Sequence, residues 1–527
     1  MRKLRVGIID IITNGPTTAL WARVINPSYA SIMPQVIAVW CEEQGHEVIH
    51  VPYTGTEDLT QETDGDIDLL FVAAFTEAGQ FAYAVSNYFR QRGAVTVLGG
   101  PHARCYPEDA CKYFDYVLGF TDKETILGVL AECAQHRPEG VHLSAPKHPL
   151  ALPGVRERWK YVEKTLQKAP WVKFAGMLGS LGCPYTCSFC IDSVIPYQPL
   201  DFDAITEDLR FLLTQYKRPR VGWHDPNFGV RFDDFMDAIE AAVPPNRIDF
   251  VAESSLALLS EPRLKRMQIN GFKALLPGVE SWYGLGNKSK TGSATGMDKV
   301  REVAAHVNMM GKYIPYIQTN MVFGIDADEG PEPFELTKQF LAMAPRAFPG
   351  LSLLTAYGRA APLNLEYQRA KRVLPFPFHF LNNHEAMNVR PKRYTWVEFY
   401  DHVIDLTKAA YSWPAIAKRF AATQGTIPKG INFIRAISHE GFGRLKYYTE
   451  IRRRLVEDRQ FRAYYEGETT DLPPFFYDRL RRGLGQMWEW LPDGALHHDP
   501  NAYLAAEEEA ALSRPAPTEI DDAAAGD

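Results

Sequence analysis

The sequence predicts an α/β protein with three parts. These are an N-terminal doubly wound, Rossmann-like domain, a partial (β/α)6 TIM-like barrel and a C-terminal, mostly helical region. Three observations lead there. Apolar strand-like runs alternate with helix-spaced apolar residues over 1–135, the pattern of a parallel sheet wrapped by helices. A second such series begins near Phe174 and yields six strand–helix units, fewer than a closed eightfold barrel needs. From 375 to 500 the chain becomes aromatic- and Arg-rich with helical spacing only.

In the first series, Leu4–Asp10 reads as a buried strand, and Ile37, Trp40 and Cys41 mark a helix face. Glu47–Val51, Ile67–Val72, Ala94–Leu98 and Asp115–Gly119 read as further strands. Phe81, Val85 and Phe89 form a helical stripe, and a last helix runs to about Ala134. Such sheets bind ligands beyond the carboxyl ends of their strands. The turns Ile12–Thr18, Ala73–Gly79, Gly99–Arg104 and Gly119–Lys123 are therefore the candidate binding edge. Residues 136–170, rich in Pro, His and Lys, read as a surface linker. The barrel, 171–370, draws strands from Phe174–Ser180, Arg220–His224, Ile248–Ala252, Ala274–Gly278, Ile314–Phe323 and Leu351–Ala356. Residues 371–503 form a helical region expected to cap the substrate, and 504–527, rich in Ala, Glu and Asp, a disordered tail.

Composition excludes several classes. The 527 residues are 46% hydrophobic and 23% charged, as in ordinary globular chains, which removes disordered, collagen-like and disulfide-stapled candidates. A net charge of −7 gives no electrostatic footprint for nucleic acid. No apolar run reaches the ~18 residues of a membrane span. The basic, then apolar N-terminus is broken by Asp10 and reads as a first strand, so a cytoplasmic location is expected.

Of seven cysteines, Cys41, Cys105, Cys111 and Cys133 are scattered and read as packing residues. Cys183, Cys187 and Cys190 are bunched as Cys-x3-Cys-x2-Cys, within Gly182–Cys190, after the first barrel strand. Three thiolates on one short loop can hold three corners of a cubane iron–sulfur cluster and leave the fourth iron open to a small molecule. A structural zinc site is the rival, but it wants a fourth ligand from a second cysteine pair, and none is present.

This loop resembles that of radical S-adenosylmethionine (SAM) enzymes. Trp223–Phe228, Gly278-Val279-Glu280-Ser281 and Met321–Ile325 are similar to that family's second-, fourth- and fifth-strand segments. The resemblance implies a 4Fe-4S cluster on Cys183, Cys187 and Cys190, and SAM cleaved there to methionine and a 5′-deoxyadenosyl radical. Asp225, Glu280, Ser281, Gln318 and Asn320 are the candidate SAM contacts. Gln318 and Asn320, two apart on a strand, share a face.

Gly99-Gly100-Pro101-His102-Ala103 with Asp115–Gly119 is similar to the cobalamin-binding domain fused to many such enzymes. Gly99, Gly100 and Gly119 then admit the cofactor to the backbone, and Thr76 can contact its nucleotide tail. The Asp-x-His-x-x-Gly motif that supplies a lower His ligand is absent, so cobalt is expected to have none. The Gly-Glu-Gly-Glu run that often follows the fifth strand is replaced by Gly119-Phe120-Thr121-Asp122. His102 and His224 read as structural histidines, and the Arg452–Arg454 run as a solvated helix face.

The resemblance implies a cobalamin-dependent methyltransferase acting on an unactivated carbon of a small or lipid-like substrate, with a flavodoxin- or ferredoxin-like low-potential electron donor. Two rivals are a non-methylating radical enzyme, such as an oxidative cyclase, and a non-catalytic electron-transfer module. The aromatics Phe376, Phe378, Phe380, Tyr394, Trp396, Phe399 and Tyr400 suit a large apolar substrate or, more simply, an ordinary core.

Overall fold

The computed structural model describes residues 2–17, 29–63, 65–137, 139–169, 172–283 and 291–504. The expected disordered tail, from 505 onward, lies outside them, as does Thr18 at the end of the first candidate turn.

Two parallel six-stranded sheets organise the chain. The first holds β1 (Arg5–Ile11), β2 (Glu47–Tyr53), β3 (Leu69–Ala74), β4 (Val95–Gly99), β5 (Tyr116–Leu118) and β6 (Val141–Leu143), in the order β2-β1-β3-β4-β5-β6. Helices α1 (Ile32–Glu43), α2 (Gly79–Arg90), α3 (Pro101–Cys105) and α4 (Lys123–Glu132) connect them. Six of the seven residues of β1 are buried, as both faces of such a sheet are covered. The order reverses between β1 and β3, where Ile8 pairs with His50 on one side and Phe71 on the other. That reversal opens a crevice at the strand ends.

The stretch 136–170 departs from its reading as a linker. Val141–Leu143 pairs with Tyr116–Leu118 and extends the first sheet, and Trp159–Lys168 forms α5, with Tyr161, Val162, Thr165 and Leu166 buried.

The second sheet holds β7 (Ala175–Met177), β8 (Arg220–Trp223), β9 (Asp249–Ser255), β10 (Phe272–Glu280), β11 (Tyr316–Phe323) and β12 (Phe348–Leu353), paired in that order without closing. Helices α6 (Phe202–Gln215), α7 (Phe232–Ala242), α8 (Glu261–Ile269), α9 (Gly296–Met310) and α10 (Glu332–Met343) cover its outer side. Burial alternates along each strand. Phe250, Ala252, Leu275, Ile317 and Met321 face the helices, while Val251, Ala274, Leu276, Gln318 and Asn320 are half-exposed on the other face. That inner face also carries Gly176, Gly222, Gly278 and Gly350. A closed barrel fills its interior with bulky side chains. Here glycine on four of six strands leaves the interior hollow.

Helix α11 (Pro362–Arg369) closes the barrel segment, and the C-terminal region adds α12 (Trp396–Tyr411), α13 (Trp413–Ala422), α14 (Thr426–Ile437), α15 (Arg444–Glu457), α16 (Arg459–Tyr465) and α17 (Pro474–Leu484). Phe376, Phe378, Phe380, Trp396, Phe399 and Tyr400 are buried in its core. It also reaches back to the first sheet. Gln80 on α2 accepts the His379 N–H at 2.8 Å, and Asn87 donates to the Trp490 carbonyl at 2.8 Å.

Candidate active site

The cysteine loop is held at its base by a short antiparallel pair, Ser180-Leu181 with Gln198-Pro199. Gly182 follows at φ +70°, and a side chain there would meet the Ile195 carbonyl at 2.7 Å, so only glycine lets the loop turn. Cys183 and Cys187 are buried and Cys190 is half-buried; none is in a disulfide. The Cys190 N–H donates to the Cys187 carbonyl at 2.9 Å, and the Asp192 N–H points at Cys190 Sγ, 3.4 Å away. Two outside groups grip the loop: Leu363 N–H donates to the Ser188 carbonyl at 2.8 Å, and Arg104 of α3 pairs with Asp192 at 3.2 Å. Among the described residues no three His, Cys, Asp or Glu side chains converge as for a single metal ion. The donor set, three thiols within one loop and no fourth, suits a cluster with one open iron.

Asp225 has protein partners of its own beside the cysteine loop. Its carboxylate lies beneath the loop, accepting the Ser180 hydroxyl at 2.6 Å and the Gly179 N–H at 3.0 Å. Burial raises its pKa from 3.8 to about 6, against the lowering effect of those two donors. It positions the loop.

Glu280, Gln318 and Asn320 come together on the inner face. Glu280 ends β10 at φ +65°, a conformation uncommon outside glycine, and its carboxylate folds back over Gly278. Gly278 is the register partner of Asn320. The Gln318 amide donates to Asn320 Oδ1 at 2.7 Å, and Asn320 occupies the space left by Gly350. Ser281 is spent locally: its hydroxyl accepts the Tyr283 N–H at 3.1 Å. Buried Lys299 stands close enough to Glu280 to feel its charge, although burial lowers the lysine pKa more.

Across from the loop lie the strand ends of the first sheet. A cleft of about 310 Å³ is lined on that side by Ala74, Phe75, Gly99, Gly100 and Gly119, and on the other by Leu178, Leu181, Gly182, Asp192 and His224. Gly100 sits at φ +90° with the Ala74 carbonyl 3.0 Å from where a Cβ would be, and no atom stands within 4 Å of a Cβ on Gly99. Gly99 thus leaves its backbone bare to a ligand, while Gly100 lets the turn pass close against Ala74. Thr76 does not share the wall. It is buried, and Phe75 takes the lining position. His102 is buried against the Tyr83 hydroxyl at 2.8 Å and held neutral by burial, a structural histidine as read. The described cleft histidines are His148 and His224, neither from the turn after β1. His224 is also kept neutral, its pKa pushed down to about 4 by burial.

Some residues of the site carry no local sequence signal. Arg435 of α14 donates to Gln318 Oε1 at 2.6 Å and to the Tyr316 hydroxyl, while Glu440 clamps its other edge at 2.5 and 2.8 Å. Arg104 and Asp192, 88 residues apart, join the two sheets.

No protein-family profile matches the chain. It is 21% identical over 372 residues to bacteriochlorophyllide d C-12(1)-methyltransferase of Chlorobaculum tepidum, covering 69% of this chain and 79% of that one. The C-8(2)-methyltransferase of the same organism is 24% identical over 276 residues, covering 49% of this chain and 61% of its own. Among solved structures it resembles the radical SAM methyltransferase TsrM from Kitasatospora setae, solved with tryptophan substrate and a SAM analogue. The TM-score is 0.52 at 13% identity, over 70% of this chain and 77% of that one. It also resembles OxsB, a cobalamin-dependent SAM radical enzyme solved with aqua-cobalamin and SAM. There the TM-score is 0.53 at 11% identity, over 99% of this chain and 82% of that one. The two-sheet fold read from the sequence is the fold of these cobalamin-dependent radical SAM enzymes.

Proposed function

We propose that the chain is a cobalamin-dependent radical SAM enzyme that methylates carbon in the cleft between its two sheets. The observation that carries this reading is one juxtaposition. Gly182 and Asp192, which bracket the three-thiol loop after the first barrel strand, line the same cleft as the strand-end glycines Gly99, Gly100 and Gly119 of a Rossmann-like sheet. The methyltransferase relatives favour methylation over oxidative cyclisation or simple electron transfer.

In this reading Cys183, Cys187 and Cys190 hold the 4Fe-4S cluster. Glu280, Gln318 and Asn320 bind SAM along the hollow inner face. Gly99, Gly100 and Gly119 admit cobalamin to the strand ends. Bound there, these groups supply an adenosyl radical and a methyl group for an unactivated substrate carbon. The protein's part is position and exclusion of water. Asp225 orients the loop through Ser180 and Gly179. Arg435 orients the Gln318 and Asn320 amides, and the Gln80 and Asn87 bonds help fasten the C-terminal region to the first sheet.

The sheet domain runs to Leu143, the barrel from about 171 to 370, and the helical region to 503. The substrate is a small molecule, and the apolar cleft wall (Ile37, Phe71, Leu118, Leu178, Ile195) suits one with a large hydrocarbon part. A flavodoxin- or ferredoxin-like protein supplies the electron, and the chain works in the cytoplasm. No described helix is long and apolar enough to cross a membrane.

Anaerobic reconstitution with iron, sulfide and hydroxocobalamin tests the reading. About four irons per chain and a retained cobalamin spectrum after desalting are expected, with the iron lost in Cys183→Ala. Iron without cobalamin removes the methyl-transfer role, and iron unchanged in Cys183→Ala removes the cluster assignment.

A further inference from the structure

Helices α13 and α14 form a hairpin whose outer face is apolar. Among the described residues, Trp413 is 61% exposed and Ile427 69% exposed, and Phe420, Phe433, Ile434 and Ile437 are exposed as well. Trp413 and Phe420 are seven residues apart, as are Ile427 and Ile434, so each pair shares a helix face. Only Asn432 and Ala436 of α14 are buried. The two helices are joined where the Asn432 amide donates to Thr423 Oγ1 at 2.9 Å and where the Lys429 ammonium lies over the Phe420 ring, 5.2 Å from its centre. A patch of this size on a folded chain marks an interaction surface.

Charge identifies what it meets. No acidic residue occurs between Asp405 and Glu440, although the whole chain carries a net charge of −7. Within that stretch lie Lys408, Lys418, Arg419, Lys429 and Arg435. Arg419 is buried against the Ala347 and Ala410 carbonyls, and Arg435 is paired with Glu440. Lys408, Lys418 and Lys429 have no carboxylate partner among the described residues. Lys418 instead reaches the Ala342 carbonyl beside exposed Met343. Large apolar side chains rimmed by unpaired lysines, with carboxylates excluded, match an interface of hydrocarbon under anionic headgroups.

We propose that the α13–α14 hairpin docks the enzyme peripherally on an anionic lipid surface. Trp413, Phe420, Ile427 and Ile434 enter the headgroup–acyl boundary, and Lys418 and Lys429 sit against the headgroups. Arg435, on α14 itself, also touches Gln318 of the hollow barrel, so the docked helix borders the active site. An apolar substrate dissolved in the bilayer then has a short path to the cleft. The docking itself does not depend on the catalytic reading, because it is measured without cofactors or turnover.

The test is flotation of the full chain with vesicles of phosphatidylcholine alone or with a minority of phosphatidylglycerol. The expected result is binding to the anionic vesicles that weakens with salt. It falls roughly tenfold or more in Lys418→Glu with Lys429→Glu, and is abolished in Ile427→Asp with Ile434→Asp. Far-UV circular dichroism should be unchanged in all variants, and melting should be unchanged in the Asp pair, whose side chains are exposed, and fall only slightly in the Glu pair, which gives up the Phe420 and Ala342 contacts. No binding by the parent chain, or equal binding by the Asp variant, overturns the proposal. So does a concentration-dependent dimer without lipid that the Asp variant disperses, because the face is then an interface between copies.

Discussion

Asp225 lies under the cysteine loop with two donors on its carboxylate, and a pair of substitutions separates what its charge does from what its hydrogen bonds do. Burial lifts its pKa from 3.8 to about 6, so the native chain holds that proton more tightly than the unfolded chain. The sign follows directly. Stability from this group is full below about pH 4 and is lost as pH rises toward 6. The rise corresponds to about 3 kcal/mol against the charged form at neutral pH. Asp225→Asn never ionises and keeps an oxygen for the Gly179 N–H and Ser180 hydroxyl, so the loop should be held at pH 7.5 at least as firmly as in the parent. Asp225→Ala leaves both donors buried without a partner, at about 1–3 kcal/mol each. Hydrogen exchange of residues 178–190, followed by mass spectrometry from pH 5 to 8 and corrected for intrinsic rates, reads the local opening. The Ala variant should open roughly 30-fold or more beyond the Asn variant. The parent should lose protection between pH 5 and 7 while the Asn variant does not. If the Asn and Ala variants open alike, the charge itself holds the loop and the burial argument fails.

Three further outcomes are expected. Arg104→Met removes the tie to Asp192, worth about 1 kcal/mol or less at this part-exposed pair. Limited proteolysis within 182–195 should quicken while global melting barely moves, and unchanged proteolysis would discount the tie. Gly100→Ala places a side chain at φ +90° against the Ala74 carbonyl, costing about 1–3 kcal/mol of backbone strain. Retained cobalamin after desalting should fall with iron content intact. Gly350→Ala puts a methyl group into the space of the Asn320 amide. SAM affinity measured by equilibrium dialysis should weaken about tenfold, equivalent to about 1.4 kcal/mol, with no change in iron per chain.

All strands of the two sheets except β6 were legible because each is an apolar run bounded by turn residues, long enough to mark itself without its neighbours. Their observed ends fall within a few residues of the expected ones, as at β1 and β8. Strand β6 was not legible. Val141-His142-Leu143 is three residues inside a Pro- and Lys-rich stretch, and it becomes a strand only because the edge of β5 offers it partners. Helix α5 did carry a helical stripe, at Tyr161, Val162, Thr165 and Leu166, but the composition of its flanks outweighed it. In the site, the cysteines were legible because their spacing is local. Glu280 was legible only through the resemblance of Gly278–Ser281 to a family segment, and Gln318 and Asn320 through their shared strand face; the structure gathers all three on one inner face. Asp225 and Ser281 were read as ligand contacts, and the structure adds a neighbour's hydrogen bond to each, while Thr76 lies buried behind Phe75. Such pairings depend on which backbone groups fold beside them, which no spacing encodes. Arg435, 117 residues from Gln318, is the extreme case.

The distribution of ties across the cleft bears on how the chemistry is kept in register. The strand ends of both sheets line one cleft, and the described bonds that cross from α3 and the turn after it reach the barrel beside the cysteine loop and just after β12. Arg104 pairs with Asp192 beside Cys190, the Tyr106 hydroxyl donates to the Ala356 carbonyl at 3.1 Å, and Glu108 pairs with Arg359. Gly358 allows the last approach, for a Cβ there would fall inside contact distance of the Cys105 carbonyl. These ties issue from the segment that follows Gly99 and Gly100, so the glycine edge and the cysteine loop are held by the same few residues. In the proposed reaction two bound groups must meet across this cleft, and small displacements of reacting atoms cost large factors in rate. Fixing that gap through the β4–α3 segment places the tolerance of the reaction in a handful of short contacts near the cleft. The C-terminal region, tied to the first sheet at Gln80 and Asn87, is in this proposal left the separate task of covering the substrate.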